Sequence, residues 1–238
     1  MKIVILAGGF GTRISEETDL KPKPMVLIGA NPVIWHLMNS FAKQGFTEFI
    51  IATGYKGEVI HDWVDNLDTK WNIKAIDTGL LTQTGGRIKK VYDTLGSERI
   101  LVTYGDGLAN VNINALIDFH KSAGKLATVT AVRPPARFGV LESENGLVTS
   151  FGEKRQSDAG WINGGYFILE KGITDHIHFD EEPFEIGALP RLVKIKELMS
   201  FHHHGFWQPM DTLREKNILE EFVLKDKYPW LELNDSKN

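Results

Sequence analysis

The chain has 238 residues, of which 42% are hydrophobic and 24% are charged, and its formal net charge is -4. A weakly acidic chain without a basic stripe argues against nucleic acid as a partner, and the lack of cysteine excludes disulfides, thiolate metal sites and cysteine nucleophiles. No apolar run approaches the roughly 20 residues of a membrane span, and the first residues lack a signal-peptide layout, so we expect a cytoplasmic protein.

Strand and helix patterns alternate through the first half of the chain. Strands are predicted at residues 2–7, 48–53, 73–76, 99–104 and 126–132, and helices at 31–45 (with Asn31 as cap and Pro32 as first helical residue), 59–67, 85–96 and 113–124. Strands that alternate with helices of this length are typical of βαβ units. We therefore predict an α/β fold, a Rossmann-like, mostly parallel mixed sheet with helices on both faces.

The pattern changes after residue 133. Residues 139–142 and 147–151 flank a Glu144-Asn145-Gly146 turn, which predicts a hairpin. Residues 163–165 then lead into a strand at 166–169, and helical patterns follow around 184–193 and at the C-terminus. Since no linker or repeat separates the halves, we expect a single domain, residues 1–238, in which residues 133–238 form a small β-rich lid over residues 1–132.

A glycine-rich segment, Gly8-Gly9-Phe10-Gly11-Thr12-Arg13, follows the first predicted strand, and Lys21 and Lys23 come soon after it. Consecutive backbone N–H groups in a glycine turn favour an anion, and arginine and lysine suit phosphate oxygens. A tight turn with solvated charges is the alternative. The spacing fits neither a Walker loop nor a dinucleotide fingerprint, so the segment predicts a polyphosphate site of another kind.

Two aspartates are candidate metal ligands. Asp106 lies between two glycines just after a predicted strand, a position that suits Mg²⁺ or a simple turn. Asp211 precedes Thr212 and Glu215, which have capping-box spacing, and from spacing alone we prefer a helix-start role for it. Ligands of open α/β sheets bind outside the carboxyl ends of the strands, so the glycine loop and Asp106 share a rim if their strands are parallel.

Other polar residues are weaker candidates for ligand binding. The glycines before Arg87 open a predicted helix and offer a second anion site, the alternative being a solvated arginine in a loop. Glu153 and Lys154 could hold a polyol or form a solvated pair, and Asn163 could bind a sugar hydroxyl or serve a turn. No G-x-S-x-G or H-E-x-x-H motif occurs. That fits phosphoryl chemistry in which a phosphate monoester, already largely a dianion at pH 7, attacks another phosphorus directly.

Two strings of residues resemble the signature of the sugar-1-phosphate nucleotidylyltransferases. The first, residues 6–13 with 22–24, is shared by the whole superfamily, whereas the second, residues 205–214 (GFWQPMDTLR), is highly specific. Shorter matches run nearly end to end at residues 15–18, 54–57, 77–79, 84–87, 103–107, 137–139 and 162–165. The resemblance implies the nucleotide-diphospho-sugar transferase fold. It is strongest to members that transfer CMP from CTP to α-D-glucose 1-phosphate, giving CDP-glucose and pyrophosphate for surface polysaccharides such as O antigen.

The resemblance also implies roles for individual residues. Residues 1–132 would bind the nucleotide, and residues 133–238 the sugar. Arg13 would act on the leaving pyrophosphate and Lys23 would bridge the phosphates in the transition state, while Asp106 and Asp211 would jointly hold Mg²⁺. The nucleotide would contact Leu6, Ala7, Gly8, Gly9, Gly11, Thr12, Arg13, Lys23, Thr82, Gly86, Arg87 and Gly105, and the sugar phosphate would contact Gly139, Glu153, Lys154 and Asn163.

The chain departs from the family pattern in two places. The segment between Trp63 and Asp77 is shorter than in the family, where this region lies near the nucleotide and a neighbouring subunit. Arg155 occupies a position where proline is usual in the family. The expectation from the resemblance is still a homo-oligomer. The alternatives are a related enzyme with another nucleotide or sugar 1-phosphate, and a catalytically silent sensor; intact Lys23 and Asp106, together with Arg13 and Asp211, argue against the sensor.

Overall fold

The computed structural model describes residues 1–11, 18, 20–96, 99–135, 139–153 and 160–233, with only the backbone at 139–142 and 150–153. The strands are β1 Lys2–Ala7, β2 Leu27–Ile28, β3 Asn31–Pro32, β4 Glu48–Thr53, β5 Asn72–Asp77, β6 Arg99–Tyr104, β7 Gly107–Ala109, β8 Ala127–Val132, β9 Gly139–Glu144, β10 Leu147–Glu153, β11 Ile162–Glu170, β12 Leu198–His202 and β13 Trp207–Pro209. The α-helices are α1 Val33–Ala42, α2 Gly57–Asp65, α3 Thr84–Leu95, α4 Ile113–Ala123, α5 Ala188–Lys194 and α6 Leu213–Leu224.

Seven strands form the central sheet in the order β12-β8-β11-β6-β1-β4-β5. Strand β1 is parallel to both β4 and β6, and the pairs β4–β5 and β8–β12 are parallel as well. Strand β11 runs antiparallel between β6 and β8. The predicted mostly parallel mixed sheet is therefore confirmed, and the carboxyl ends of β1 and β6 lie side by side.

Both faces of the sheet are covered by apolar side chains of helices. Alternate residues of β1 divide between two cores, with Ile3 and Ile5 in one and Val4 and Leu6 in the other. Helices α1, α2, α4 and α6 supply side chains to the first core, and α3 and α5 to the second. Because burying one such side chain is worth roughly 1.5–3 kcal/mol, burial on both faces holds the strand ends, and the loops that follow them, in fixed positions.

Helix α1 begins later than its sequence predicts. Asn31 and Pro32 form the short strand β3, which pairs with β2, and Pro32 is the N-cap residue rather than the first helical residue. The backbone of Pro32 is extended, with φ -67° and ψ 153°. The prediction of Asn31 as the cap is therefore wrong, because its backbone is used for pairing with Ile28.

Strand β11 begins earlier than predicted and includes Asn163, Gly164 and Gly165. Its pairing with β8 shifts between Asn163 and Phe167, where three residues of β11 lie opposite one residue of β8. Gly165 has φ +81°, a conformation that favours glycine and accommodates such a bulge. The two glycines therefore bend a continuous strand instead of preceding it.

The predicted second-half elements are otherwise present with adjusted bounds. Strands β9 and β10 form the predicted hairpin as a sheet of their own, and its role as a lid stays a prediction. Helix α5 covers only the end of the predicted 184–193 pattern, because a turn ending at Gly187 precedes it. Within the described ranges, no helix combines the length and apolar character that crossing a membrane requires.

Candidate active site

A cleft opens at the carboxyl ends of the parallel strands, as the sequence predicts. Leu6 of β1 is the register partner of Tyr104 of β6, so the glycine loop and the Asp106 turn meet. The Gly105 N–H donates to Leu6 O at 3.1 Å, which joins the two loops directly. The cleft encloses about 880 Å³, a volume in the range of small-molecule sites.

The cleft lining contains most of the predicted nucleotide residues that the structure describes. Leu6, Ala7, Gly8, Gly9, Gly11, Lys23, Thr82, Arg87 and Gly105 line it, together with Asn163 and both candidate metal ligands, Asp106 and Asp211. Gly86 packs instead against the backbone of Asp180, whose carbonyl oxygen would lie 2.2 Å from an added Cβ. Its contact with a nucleotide stays a prediction.

Some predicted site residues cannot be placed at the cleft. Thr12, Arg13 and Lys154 lie outside the described residues, and only the backbone is described for Glu153, at the end of β10. Gly139 begins β9. Their roles therefore stay predictions.

An ionic centre lies on the cleft wall. The Lys23 ammonium Nζ is 2.6 Å from Asp106 Oδ2 and 2.6 Å from Asp211 Oδ1. Burial alone lowers the pKa of Lys23, but the two carboxylates outweigh it and hold the pKa above its ordinary value. Lys23 is therefore a charged group, nearly buried, between two carboxylates that are 105 positions apart in the chain.

Local structure explains how each charged group reaches this centre. Lys23 begins a short 3₁₀-helix, Lys23–Met25, that follows Pro22. Strands β7 and β13 pair antiparallel, and the Met210 N–H donates to Asp106 O at 2.8 Å. This pairing brings the end of β13 to the Asp106 turn. Asp211 follows the end of β13 by two residues and therefore lies at the same turn.

The start of helix α6 fixes the backbone of Asp211. Thr212 is the N-cap residue, and its side chain and that of Glu215 form the predicted capping box. Glu215 Oε2 also accepts a hydrogen bond from the Asp211 N–H at 2.7 Å. The prediction that Asp211 only starts the helix is thus wrong, because Thr212 does the capping and the Asp211 carboxylate contacts Lys23.

The chemistry of this centre fits a magnesium ion. Asp106 and Asp211 direct hard carboxylate oxygens at one cationic group. Within the described part of the chain, no three His, Asp or Glu side chains form a metal cluster. Mg²⁺ commonly takes one or two carboxylates and completes its shell with waters and substrate phosphates, so the paired carboxylates of Asp106 and Asp211 suit it.

Arg87 packs against the glycine loop and is buried. The alternative prediction of a solvated arginine in a loop is therefore wrong. Arg87 is only 3% exposed, and its guanidinium donates to Thr53 O at 2.7 Å, Thr78 Oγ1 at 2.5 Å and Gly8 O at 2.9 Å. Burial lowers the pKa of Arg87, an effect that nearby Asp77 opposes. A Cβ on Gly8 would lie 2.1 Å from the guanidinium carbon, so this loop needs glycine here for close packing.

Sequence reasoning missed three side chains of the cleft wall. Tyr104, Glu185 and Trp207 all line it, and the Trp207 Nε1–H donates to Gly164 O at 2.8 Å. No motif marks Glu185, which lies in a turn before α5. Tyr104 and Trp207 lie within the family-like strings at residues 103–107 and 205–214, but no role was predicted for either of them from the sequence.

Comparison with known proteins agrees with this geometry. The model of the nucleotidyl transferase family matches residues 2–212. The chain belongs to the nucleotidyl transferase family. Relatives include a glucose-1-phosphate cytidylyltransferase of Salmonella typhi, 46% identical over 97% of this chain and 98% of the relative. A probable glucose-1-phosphate cytidylyltransferase of Bacillus subtilis is 42% identical over 92% and 94% of the two chains.

Solved structures show the same architecture for this nucleotidyl transferase. HddC from Yersinia pseudotuberculosis, crystallised in complex with GMP-PN, has a TM-score of 0.73 and 25% identity to this chain. The match covers 93% of this chain and 99% of HddC. The expected nucleotide-diphospho-sugar transferase fold is therefore confirmed.

Proposed function

We propose that this nucleotidyl transferase transfers CMP from CTP to α-D-glucose 1-phosphate, giving CDP-glucose and pyrophosphate. The observation that supports the proposal is the centre of Lys23, Asp106 and Asp211 in a rim cleft, since paired carboxylates and a cation suit a reaction between two phosphates. The identity to glucose-1-phosphate cytidylyltransferases supports the choice of nucleotide and sugar.

The reaction needs charge neutralisation more than a protein nucleophile. A phosphate oxygen of glucose 1-phosphate forms a bond to the α-phosphorus of CTP, and the bond from that phosphorus to the bridging oxygen of pyrophosphate breaks. Both reactants are anions, so fixed cations and N–H groups lower the repulsion between them. Lys23 would supply one cation, and the backbone of Gly8 to Gly11 would supply N–H groups.

Other proposed roles follow the same logic. Arg13 would neutralise the leaving pyrophosphate, and Asn163, with Glu153 and Lys154, would hold the sugar phosphate. Asp106 and Asp211 would hold Mg²⁺, which supplies charge stabilisation to phosphate oxygens when bound. The homo-oligomer and the cytoplasmic location expected from the sequence also stay predictions.

A substrate panel tests this proposal. Pyrophosphate release is measured with CTP, UTP, dTTP, ATP and GTP, each against glucose, galactose and mannose 1-phosphate. We expect CTP with glucose 1-phosphate to exceed every other pair in kcat/KM by at least about tenfold, because a site built around one base and one sugar leaves polar groups unpaired with others. A faster different pair would identify a related enzyme instead, and no release with any pair would favour the silent sensor.

A further inference from the structure

Four polar residues form a hydrogen-bonded chain along the cleft wall. The Tyr104 hydroxyl donates to Glu185 Oε1, and the Thr84 hydroxyl donates to Glu185 Oε2 at 2.8 Å. The Asn163 Nδ2 group donates to the Tyr104 hydroxyl oxygen at 3.3 Å. All four side chains line the cleft, so this chain of hydrogen bonds faces the space that a substrate would occupy.

The donors and acceptors in this chain are fixed. Burial, and then the neighbouring Glu185 carboxylate, raise the pKa of Tyr104 far above its ordinary value, so the hydroxyl keeps its proton. That single proton goes to Glu185, and the hydroxyl oxygen therefore accepts from Asn163. Asn163 Oδ1 in turn accepts the Gly165 N–H at 2.8 Å. The Asn163 amide is thus oriented with Nδ2 toward Tyr104 and Oδ1 toward the backbone of its own strand.

Glu185 is a carboxylate in a cleft whose substrates are phosphates. Its two oxygens accept from neutral hydroxyls, and no lysine or arginine pairs with it among the ion pairs of the described ranges. A carboxylate repels a phosphate but accepts hydrogen bonds strongly from hydroxyl groups. Each carboxylate oxygen has a second lone pair, so Glu185 has acceptor capacity left for a ligand.

Hydrogen bonds connect Glu185 through Tyr104 to Asn163, a residue proposed to hold the sugar phosphate. Asn163 lies on β11, the strand that connects β6 to the second half of the sheet. The phosphate-facing centre is at Lys23, which binds two other carboxylates. A neutral polyol, rich in hydroxyl donors, is the substrate part that matches Glu185 chemically.

We propose that Glu185, oriented by Tyr104 and Thr84, determines sugar specificity by accepting hydroxyl protons of a neutral hexose and by repelling sugars that carry a second acid group. This rests on the proposed function, because it assumes that the cleft takes a sugar 1-phosphate. It predicts poor use of a hexuronic acid 1-phosphate by the parent protein, whose extra carboxylate would face Glu185.

The test compares Glu185→Gln with the parent protein in steady-state assays. Glucose 1-phosphate and glucuronic acid 1-phosphate are varied at saturating CTP, and CTP is varied at saturating glucose 1-phosphate. We expect Glu185→Gln to raise KM for glucose 1-phosphate about tenfold and to reduce discrimination against the uronic acid about tenfold, since it removes one charge-assisted acceptor. KM for CTP should stay within about twofold.

Two further variants separate this role from a structural one. Tyr104→Phe keeps the ring, which packs 6.0 Å from Phe167 between centroids, and keeps the Glu185 charge. It should raise KM for glucose 1-phosphate about threefold while discrimination against the uronic acid persists. Glu181→Gln, which changes an exposed carboxylate in the same segment, should leave both KM values and the discrimination unchanged.

Several outcomes would overturn the role of Glu185. Discrimination that stays at the parent value in Glu185→Gln would do so, as would an equal rise in the KM for CTP, which would indicate a purely structural link to α3. Melting temperatures of all variants identify any loss of folding. If Glu185→Gln does not fold, the KM of Tyr104→Phe for glucose 1-phosphate decides the outcome. If the parent protein prefers another hexose 1-phosphate, the proposed function fails, but the same variants assayed with that sugar still decide the role of Glu185.

Discussion

Two nearly buried cations lie near opposite ends of the glycine loop, and their surroundings differ. A Cβ on Gly11 would lie 3.2 Å from Lys23 Cβ, whereas one on Gly8 would meet the Arg87 guanidinium. Lys23 contacts two carboxylates, and Arg87 contacts two backbone carbonyls and a threonine hydroxyl. Lys23 therefore has ionic partners, whereas Arg87 has neutral partners in the glycine loop and at the ends of neighbouring strands.

This difference in partners predicts different roles for Lys23 and Arg87. Carboxylates hold a cation by charge, so a second cation of suitable size is able to take its place. Backbone carbonyls hold a guanidinium by geometry, because they are fixed by the strands that carry them. We therefore expect Lys23 to matter most for the reaction and Arg87 to matter most for the stability of the loop.

The largest effect is expected for Lys23→Met. Turnover should fall by about a thousandfold or more, because the variant lacks the cation that we propose stabilises charge in the transition state. Steady-state pyrophosphate release measures it, and the exposed Lys43→Met, which removes a distant lysine, is the matched control. Parent-like turnover in Lys23→Met would remove Lys23 from the mechanism.

A smaller change is expected for Asp106→Asn, which keeps the size of the side chain but removes its charge. The Mg²⁺ concentration for half-maximal rate should rise at least about tenfold, since one of the two proposed carboxylate ligands is lost. A magnesium titration of the residual rate measures this change. Asp118→Asn, on the exposed face of α4, should titrate like the parent, and identical titrations for both variants would contradict the metal site.

Removal of the Arg87 guanidinium should mainly affect folding. Arg87→Met should lower the free energy of unfolding by about 2–4 kcal/mol, because several buried hydrogen bonds are lost. Denaturant unfolding measures the loss, and the exposed Lys121→Met on α4 should stay within about 0.5 kcal/mol of the parent. A loss in Arg87→Met as small as in this control would show that the guanidinium does not support the loop.

The smallest effects are expected for alanine substitutions of two glycines, one packed against Arg87 and one that is not. A Cβ on Gly54 would lie 2.5 Å from Arg87 Nη1, whereas a Cβ on Gly9 meets no atom within 4 Å. Gly54→Ala should therefore lower the free energy of unfolding by about 1–3 kcal/mol, the range for overpacking, and Gly9→Ala by less than about 1 kcal/mol. Equal losses would mean that contact with Arg87 does not explain the requirement for glycine.

The sequence predicted the parts of the site that follow from periodicity. Strand patterns at residues 2–7 and 99–104 placed the glycine loop and Asp106 at strand ends, and parallel pairing of these strands brings both to one rim. Gly96 and Gly124 were predicted to end helices, and both are left-handed C-cap residues. These features depend on nearby residues, so local patterns identify them.

Long-range contacts could not be predicted in the same way. Spacing alone gave no sign that Asp211 contacts Lys23, because that contact depends on the pairing of β7 with β13. The partners of Arg87 lie on β1, β4 and β5 or in the loops that follow them, and Glu185 has no motif. Only family resemblance indicated a joint role for the two aspartates.

The most direct test of the shared carboxylate centre is a Mn²⁺ titration without nucleotide, followed by electron paramagnetic resonance. Lys23 Nζ contacts one oxygen of each carboxylate, so we expect a divalent ion that binds both carboxylates to compete with it. Lys23→Met should therefore bind Mn²⁺ about tenfold more tightly than the parent, since a competing charge is gone, and Lys23→Met with Asp106→Asn should lose that gain. Mn²⁺ affinity that is unchanged or weaker in Lys23→Met would contradict a common site for the lysine and the metal.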